Sequence, residues 1–144
     1  MNDQNGYDIE DLQVGMTASY AKTITEADIV LFAGVSGDIN AMHLNEEYAK
    51  TTPFGGRIAH GFLTGSLISA VIGNRLPGPG TIYLSQQMRF KAPVRAGETV
   101  EATVTVQSVD VVKARAVLQT VCKVAGKVVI DGEATVMASS KAKR

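Results

Sequence analysis

The chain has 144 residues, 14 basic and 14 acidic, a hydrophobic fraction of 45% and one cysteine. That length suffices for one domain with a real core, and the balanced charge excludes a broadly basic surface built for nucleic acid or anionic membrane. A single thiol excludes an intrachain disulfide, and Cys122, in an alternating stretch, reads as a small buried hydrophobe.

Residues 1–10 are polar and read as a flexible N-terminal segment. They lack the basic-then-apolar pattern of a signal peptide, so a cytoplasmic location is expected. Residues 11–138 read as one domain, and residues 139–144, with Lys141, Lys143 and Arg144, as a flexible basic tail. Within the domain, Thr17 to Lys22 predicts a short strand. Thr25 followed by Asp28 has the form of a capping box, so a helix is expected from Glu26 to about Val35, with Ile29, Val30, Phe32 and Ala33 on its apolar side. Ser36 to Met42 reads as a polar loop. Asn45 then caps a short helix, Glu46 to Lys50.

The stretch from Gly56 to Gly73 follows, and the rest of the chain is organised around it. From Ile58 to Ile72 it carries no formal charge unless His60 is protonated, and Leu63, Leu67, Ala70 and Val71 recur at helical spacing. A helix apolar nearly all round is a buried one. Its length of roughly 24 Å spans a small domain but falls short of a bilayer. Gly61, Gly65, Ser69 and Gly73 form a stripe of small residues that lets a neighbour come close.

Leu76-Pro77-Gly78-Pro79-Gly80 ends the helix, and from there the period changes toward two. Ile82 to Phe90, Thr99 to Val109, Val111 to Val124 and Lys127 to Met137 read as antiparallel strands joined by short turns, the last at Ala125-Gly126. One apolar helix and one long sheet predict an α+β domain in which a curved antiparallel sheet wraps around a long central helix. The helix's open side and the sheet edge point to a homodimer.

Two histidines carry the chemistry, His43 in the polar loop region and His60 at the start of the buried helix. A carboxylate and an imidazole aimed into one pocket can divide a proton transfer, and Asp38 lies five residues before His43. Each also has a plain structural reading: Asp38 as a turn cap, His43 as a loop residue, His60 as a packed neutral ring. No metal is expected, because there is no cysteine cluster and no pair of histidines at helical spacing. Neither Gly55-Gly56-Arg57 nor Pro77 to Gly80 has the spacing of a phosphate loop. The first amides of the buried helix suit partial negative charge.

Together these residues resemble the MaoC-like hydratase-2 family of hot-dog proteins. Gly37-Asp38-Ile39-Asn40 with His43 and Ala49 is similar to the hydratase-2 signature, and Ile58-Ala59-His60-Gly61 to the start of the family's central helix. Leu76 to Leu84, Gln86 and Arg89 to Val94 resemble the short bacterial (R)-specific enoyl-CoA hydratases that supply polyhydroxyalkanoate synthesis. The family usually has proline where Ala41 stands, aspartate where Asn45 stands, and leucine or a branched residue at Met42. The resemblance implies a single hot-dog domain, a homodimer with its site at or near the interface, and reversible hydration of trans-2-enoyl-CoA to (R)-3-hydroxyacyl-CoA. It also implies roles. Asp38 activates water, His43 handles the C2 proton, and the Gly61 backbone N–H polarises the thioester carbonyl. Asn40, Ser69 and His60 support them. Arg89, Lys91 and Arg95 are candidates for the phosphates of CoA. No cofactor is required, and neither nucleic acid nor membrane is an expected partner. The competing readings are a 3-hydroxyacyl-[acyl-carrier-protein] dehydratase, a hot-dog thioesterase and a non-catalytic acyl-binding subunit.

Overall fold

The computed structural model describes residues 6–143. Nine principal elements follow in chain order: β1 (Thr17–Thr23), α1 (Glu26–Ser36), α2 (Ala41–Leu44), α3 (Glu46–Ala49), α4 (Gly61–Asn74), β2 (Ile82–Phe90), β3 (Thr99–Asp110), β4 (Arg115–Val124) and β5 (Lys127–Met137). The strands form one antiparallel sheet in the order β1-β3-β4-β5-β2, with α4 against it. This is the hot-dog arrangement.

Local chemistry explains most boundaries. The capping box is present: Asp28 N–H donates to Thr25 Oγ1 at 3.1 Å and Thr25 N–H to Asp28 Oδ2 at 2.9 Å. The β4–β5 hairpin turns at Ala125 and Gly126, whose φ angles of 49° and 80° match the twist of the flanking strands. The core is the interface between α4 and the sheet. Leu67, Ile68, Val71 and Ile72 are buried, as are Val100, Ala102 and Val104 of β3, Ala116 and Leu118 of β4, and Ala134 and Val136 of β5. Cys122 is buried with them, and burial pushes its thiol up to about 12, which leaves it a small hydrophobe.

Several expectations are corrected. In the single chain α4 is buried on one face only: Phe62, Ser66, Ser69 and Gly73 are exposed, because one sheet covers one side of a helix. The strand expected over Val111 to Val124 begins at Arg115, and Val111 to Ala114 is a turn, with Ala114 at a φ of 56°. In β2 the register passes from Tyr83↔Val136 to Ser85↔Thr135, so Leu84 is an extra residue that breaks simple alternation.

The flexible N-terminal segment is corrected over residues 6–10. Ile9 is fully buried, Gly6 N–H donates to the Pro79 carbonyl at 2.7 Å, and Asp8 bridges to Ser139. The flexible tail is corrected over residues 139–143. Ser140 Oγ donates to Glu10 at 2.7 Å and Lys141 pairs with Asp11 at 2.7 Å. The hydroxyl of Ser140 and the Lys141 amide hold the Glu10 carboxyl down at about 2. The two ends clip each other, which neither polar stretch could signal alone. The flexibility expected of residues 1–5 and Arg144 lies outside the described residues.

Where β5 meets β2 the backbones are too close for a side chain. A Cβ on Gly132 would lie 1.8 Å from the Gln87 carbonyl oxygen, a backbone atom that cannot swing away. Gly132→Ala is therefore expected to destabilise the protein by at least about 2 kcal/mol, as overpacking does. Urea denaturation checks this, and the loss should appear as a lower midpoint at similar slope.

Candidate active site

The site lies where the 37–43 segment meets the start of α4. The chain leaves α1 through Ser36, whose Oγ donates to the Phe32 carbonyl at 2.6 Å and accepts from Asp38 N–H at 3.1 Å. Asp38 Oδ1 accepts from Asn40 N–H at 3.2 Å, and Asn40 Oδ1 accepts from Met42 N–H at 3.0 Å. These short polar caps turn the expected loop into a turn that starts a single helical turn, α2. Asp38 thus acts as the turn cap of its plain structural reading and keeps its side chain exposed at the cavity.

The turn carries His43 inward, where it is buried. Its Nδ1 lies 2.8 Å from the Ile58 carbonyl oxygen, which can only accept. The proton is therefore on Nδ1, and Nε2 is the free basic nitrogen. Arg57 secures the same turn from outside. Its Nε donates to the His43 carbonyl at 2.7 Å while its guanidinium pairs with Glu26 at 3.0 Å.

His60 stands immediately before α4 and is 1% exposed. Its Nε2 is 2.9 Å from the Asp38 carbonyl oxygen, and its ring lies on His43 with centroids 4.0 Å apart and planes 31° apart. Phe32 of α1 covers it with centroids 4.9 Å apart. One ligating atom each from Asp38, His43 and His60 falls within a span of 4.8 Å. A zinc site with bonds near 2 Å needs donors about 3.3 Å apart. The span here is wider, and the two imidazole rings pack against each other, tilted by 31°.

A cavity of about 420 Å³ opens at this junction, within the usual size for a small-molecule site. Asp38, His43, His60 and Gly61 line it, with Lys91 and apolar groups such as Phe90 and Ile130. Gly61 is the first residue of α4, and no side chain caps that helix end. Its backbone amide therefore belongs to the orphan donors of a helix start, with the positive end of the dipole behind it. The absent side chain at Gly61 also matters: a Cβ there would lie 2.6 Å from the Phe90 ring.

The other expected residues divide. Lys91 lines the cavity and pairs with Asp131 at 3.3 Å. Asn40 caps α2 and is outside the cavity lining. Ser69 lies two turns along α4, exposed and outside the cavity in the single chain, so it does not join Gly61 there. Gly65 makes room for Met88 of β2, whose sulfur would be 2.9 Å from an added Cβ. The small-residue stripe serves strand packing at that point. Arg89 is exposed on β2 and outside the cavity lining. Arg95 is already engaged. Its guanidinium donates to the Arg57 carbonyl at 3.2 Å and to the Phe54 carbonyl, pinning the 54–57 segment.

Three contributors are not marked as such by the sequence pattern. Phe32 lies on the apolar side of α1, yet it covers His60. Phe90 ends a strand, yet it lies against Gly61 and lines the cavity. Thr64 is a buried hydroxyl on the cavity wall, and the visible signal was a polar residue four after His60 on an apolar helix.

A family model described as MaoC like domain matches residues 11–132. The chain is 58% identical over 132 residues to an (R)-specific enoyl-CoA hydratase of Rhodospirillum rubrum, covering 92% of each. It is 51% identical over 132 residues to a 3-hydroxybutyryl-CoA dehydratase of Methylorubrum extorquens, covering 92% of this chain and 84% of the relative. Among solved structures, the unliganded R-hydratase PhaJ1 of Pseudomonas aeruginosa superposes with a TM-score of 0.88 at 46% identity, covering 95% of this chain and 88% of that one.

Arg95→Met is expected to lower stability by about 1–3 kcal/mol, because it leaves the Arg57 and Phe54 carbonyls without their charged donor. Thermal or urea unfolding checks the loss.

Proposed function

The chain belongs to the MaoC-like domain family, and we propose that it is an (R)-specific enoyl-CoA hydratase. It adds water reversibly to trans-2-enoyl-CoA to give (R)-3-hydroxyacyl-CoA. The observation that carries this reading is the meeting of Asp38, His43 and Gly61 on one cavity in a chain 58% identical to a hydratase.

The chemistry follows from the donors and acceptors present. The Gly61 N–H donates to the thioester carbonyl oxygen and stabilises the negative charge that develops there as the double bond is consumed. Asp38 takes a proton from water as its oxygen bonds to C3. His43 Nε2 delivers a proton to C2 from the same side, so addition is syn. The pair carries one mobile proton, on His43 at the start of hydration and on Asp38 at its end. Dehydration runs the same steps backward. The Nδ1–H bond to the Ile58 carbonyl keeps the His43 ring oriented whether or not Nε2 is protonated.

No electron is transferred, so this reading requires no cofactor beyond the coenzyme A of the substrate. Lys91, beside the cavity, is the cation best placed to meet a CoA phosphate. A homodimer belongs to the same reading: edge strand β2 exposes Ile82, Leu84 and Phe90, and a second copy would cover them. The site then lies at or near that interface, because Phe90 both lines the cavity and belongs to this edge. A cytoplasmic location is part of the proposal. Among the described residues no helix is long and apolar enough to cross a membrane. The (R)-3-hydroxyacyl product is the class of monomer that polyhydroxyalkanoate synthesis consumes.

Asp38→Asn and His43→Gln are each expected to lower kcat by about 10²–10⁴-fold, the usual contribution of a positioned acid or base. Folding should be retained, since neither change alters side-chain volume much. Steady-state kinetics with crotonyl-CoA, alongside circular dichroism, checks this. Near-wild-type rates in both variants would remove the pair from the mechanism.

A further inference from the structure

His60 joins every part of the site yet has no step in the chemistry above. Its Nε2 is 2.9 Å from the backbone oxygen of Asp38, its face lies on His43, and the next residue is Gly61. It therefore touches the segment that carries the carboxylate, the ring that carries the C2 proton, and the helix end that supplies the amide.

The donor pattern fixes its form. A carbonyl oxygen only accepts, so Nε2 must carry a proton and donate it. The remaining nitrogen, Nδ1, is fully enclosed and has no partner within the protein. As a lone pair on a neutral ring it costs less than as a donor on a charged one. As an N–H it would be an unpaired buried donor on a cationic ring, 4.0 Å from a second imidazole that must itself hold a proton during turnover. Among the described residues, the other enclosed side-chain polar atom without a partner is Thr64 Oγ1, on the same cavity wall. Two other helical hydroxyls behave differently: those of Ser36 and Ser66 donate back to carbonyls in their own helices at 2.6 Å and 2.5 Å. Thr64, four residues on from His60 and on the same cavity wall, keeps its O–H available, and an O–H is the kind of partner that a bare Nδ1 accepts.

We propose that His60 is a positioning residue for the hydration, locked as the neutral Nε2–H tautomer, which sets Asp38 and His43 in register with the Gly61 amide. It contacts no reacting atom. The two histidines are thus in opposite tautomers, His43 with its proton on Nδ1 and His60 with its proton on Nε2. Stacked rings of the same residue type perform different tasks because different backbone carbonyls claim different nitrogens. The inference rests on the hydratase reading for its consequence but not for its geometry.

The first test uses the intact wild-type protein and no substrate. Nitrogen-15 NMR of labelled histidine at neutral pH should show His60 protonated on Nε2 alone, whether His43 carries its Nδ1 proton only or the mobile proton on Nε2 as well, with the rings assigned by comparison with His43→Gln. A His60 that is cationic or protonated on Nδ1 overturns the proposal. The second test uses His60→Phe, which keeps the stacked ring but loses the donor, and His60→Gln, whose amide N–H can still reach the Asp38 carbonyl. With crotonyl-CoA, His60→Phe should lose about 10–100-fold in kcat with KM little changed, the signature of misplaced reacting groups. His60→Gln should recover most of that loss. Wild-type kcat in folded His60→Phe, or equal losses in both folded variants, overturns the proposal. If His60→Phe does not fold, the tautomer measurement decides alone. If the wild-type protein does not hydrate crotonyl-CoA, the hydratase reading falls while the tautomer test still judges the geometry.

Discussion

Leu67, Ile68, Val71 and Ile72 can leave water only if α4 lies across the inner face of the sheet, and each contributes about 1.5–3 kcal/mol by doing so. That packing sets the position of the helix, and the position of the helix sets everything at its N-terminal end. The helix begins at Gly61, and just before it Ala59 N–H donates to the Val94 carbonyl at 2.7 Å. The helix start is therefore tied to the segment following β2 as well as to the core. A donor held at both ends does not reorganise when charge develops on a ligand, and this is what a pre-arranged oxyanion site needs.

The core also dictates where polar chemistry can sit. Deep positions on α4 and on β3 to β5 are apolar and enclosed, with Thr64 and Thr120 as the exceptions. The histidines occupy the boundary, where α1, α2 and the start of α4 meet, so each ring finds a backbone carbonyl for one nitrogen. Buried imidazoles are affordable there because those carbonyls lie outside regular hydrogen-bond ladders. Asp38 stays exposed at the cavity, within reach of water, as its proposed role requires.

Much of this was legible in the sequence because it depends on local pattern. The Thr25 and Asp28 cap, the alternation from Thr99 onward and the Pro-Gly break after Leu76 each specify an element from a few adjacent residues. The Asp38, His43 and Gly61 constellation was legible through resemblance, since five residues of spacing say nothing about how a turn will fold. What escaped depended on contacts between distant segments. Val111 to Ala114 carries no strong turn formers, yet it must turn because β3 and β4 pair on either side of it. Arg95 looked like a free cation until the fold placed the 54–57 carbonyls beside it. Ser69 shares a helical stripe with Gly61, but the cavity turns toward Phe90 and Ile130 instead of following that stripe. The docked ends depend on pairing between residues about 130 apart in sequence.

Hydration at one cavity needs neither redox chemistry nor hydrolysis of the thioester. The measurement that reaches this claim most directly is incubation of the purified protein with crotonyl-CoA, following the enoyl absorbance, free thiol and the chirality of the product together. The account predicts loss of the enoyl absorbance, formation of (R)-3-hydroxybutyryl-CoA and no release of free coenzyme A. Release of coenzyme A, an (S) product, or an unchanged enoyl thioester would contradict it.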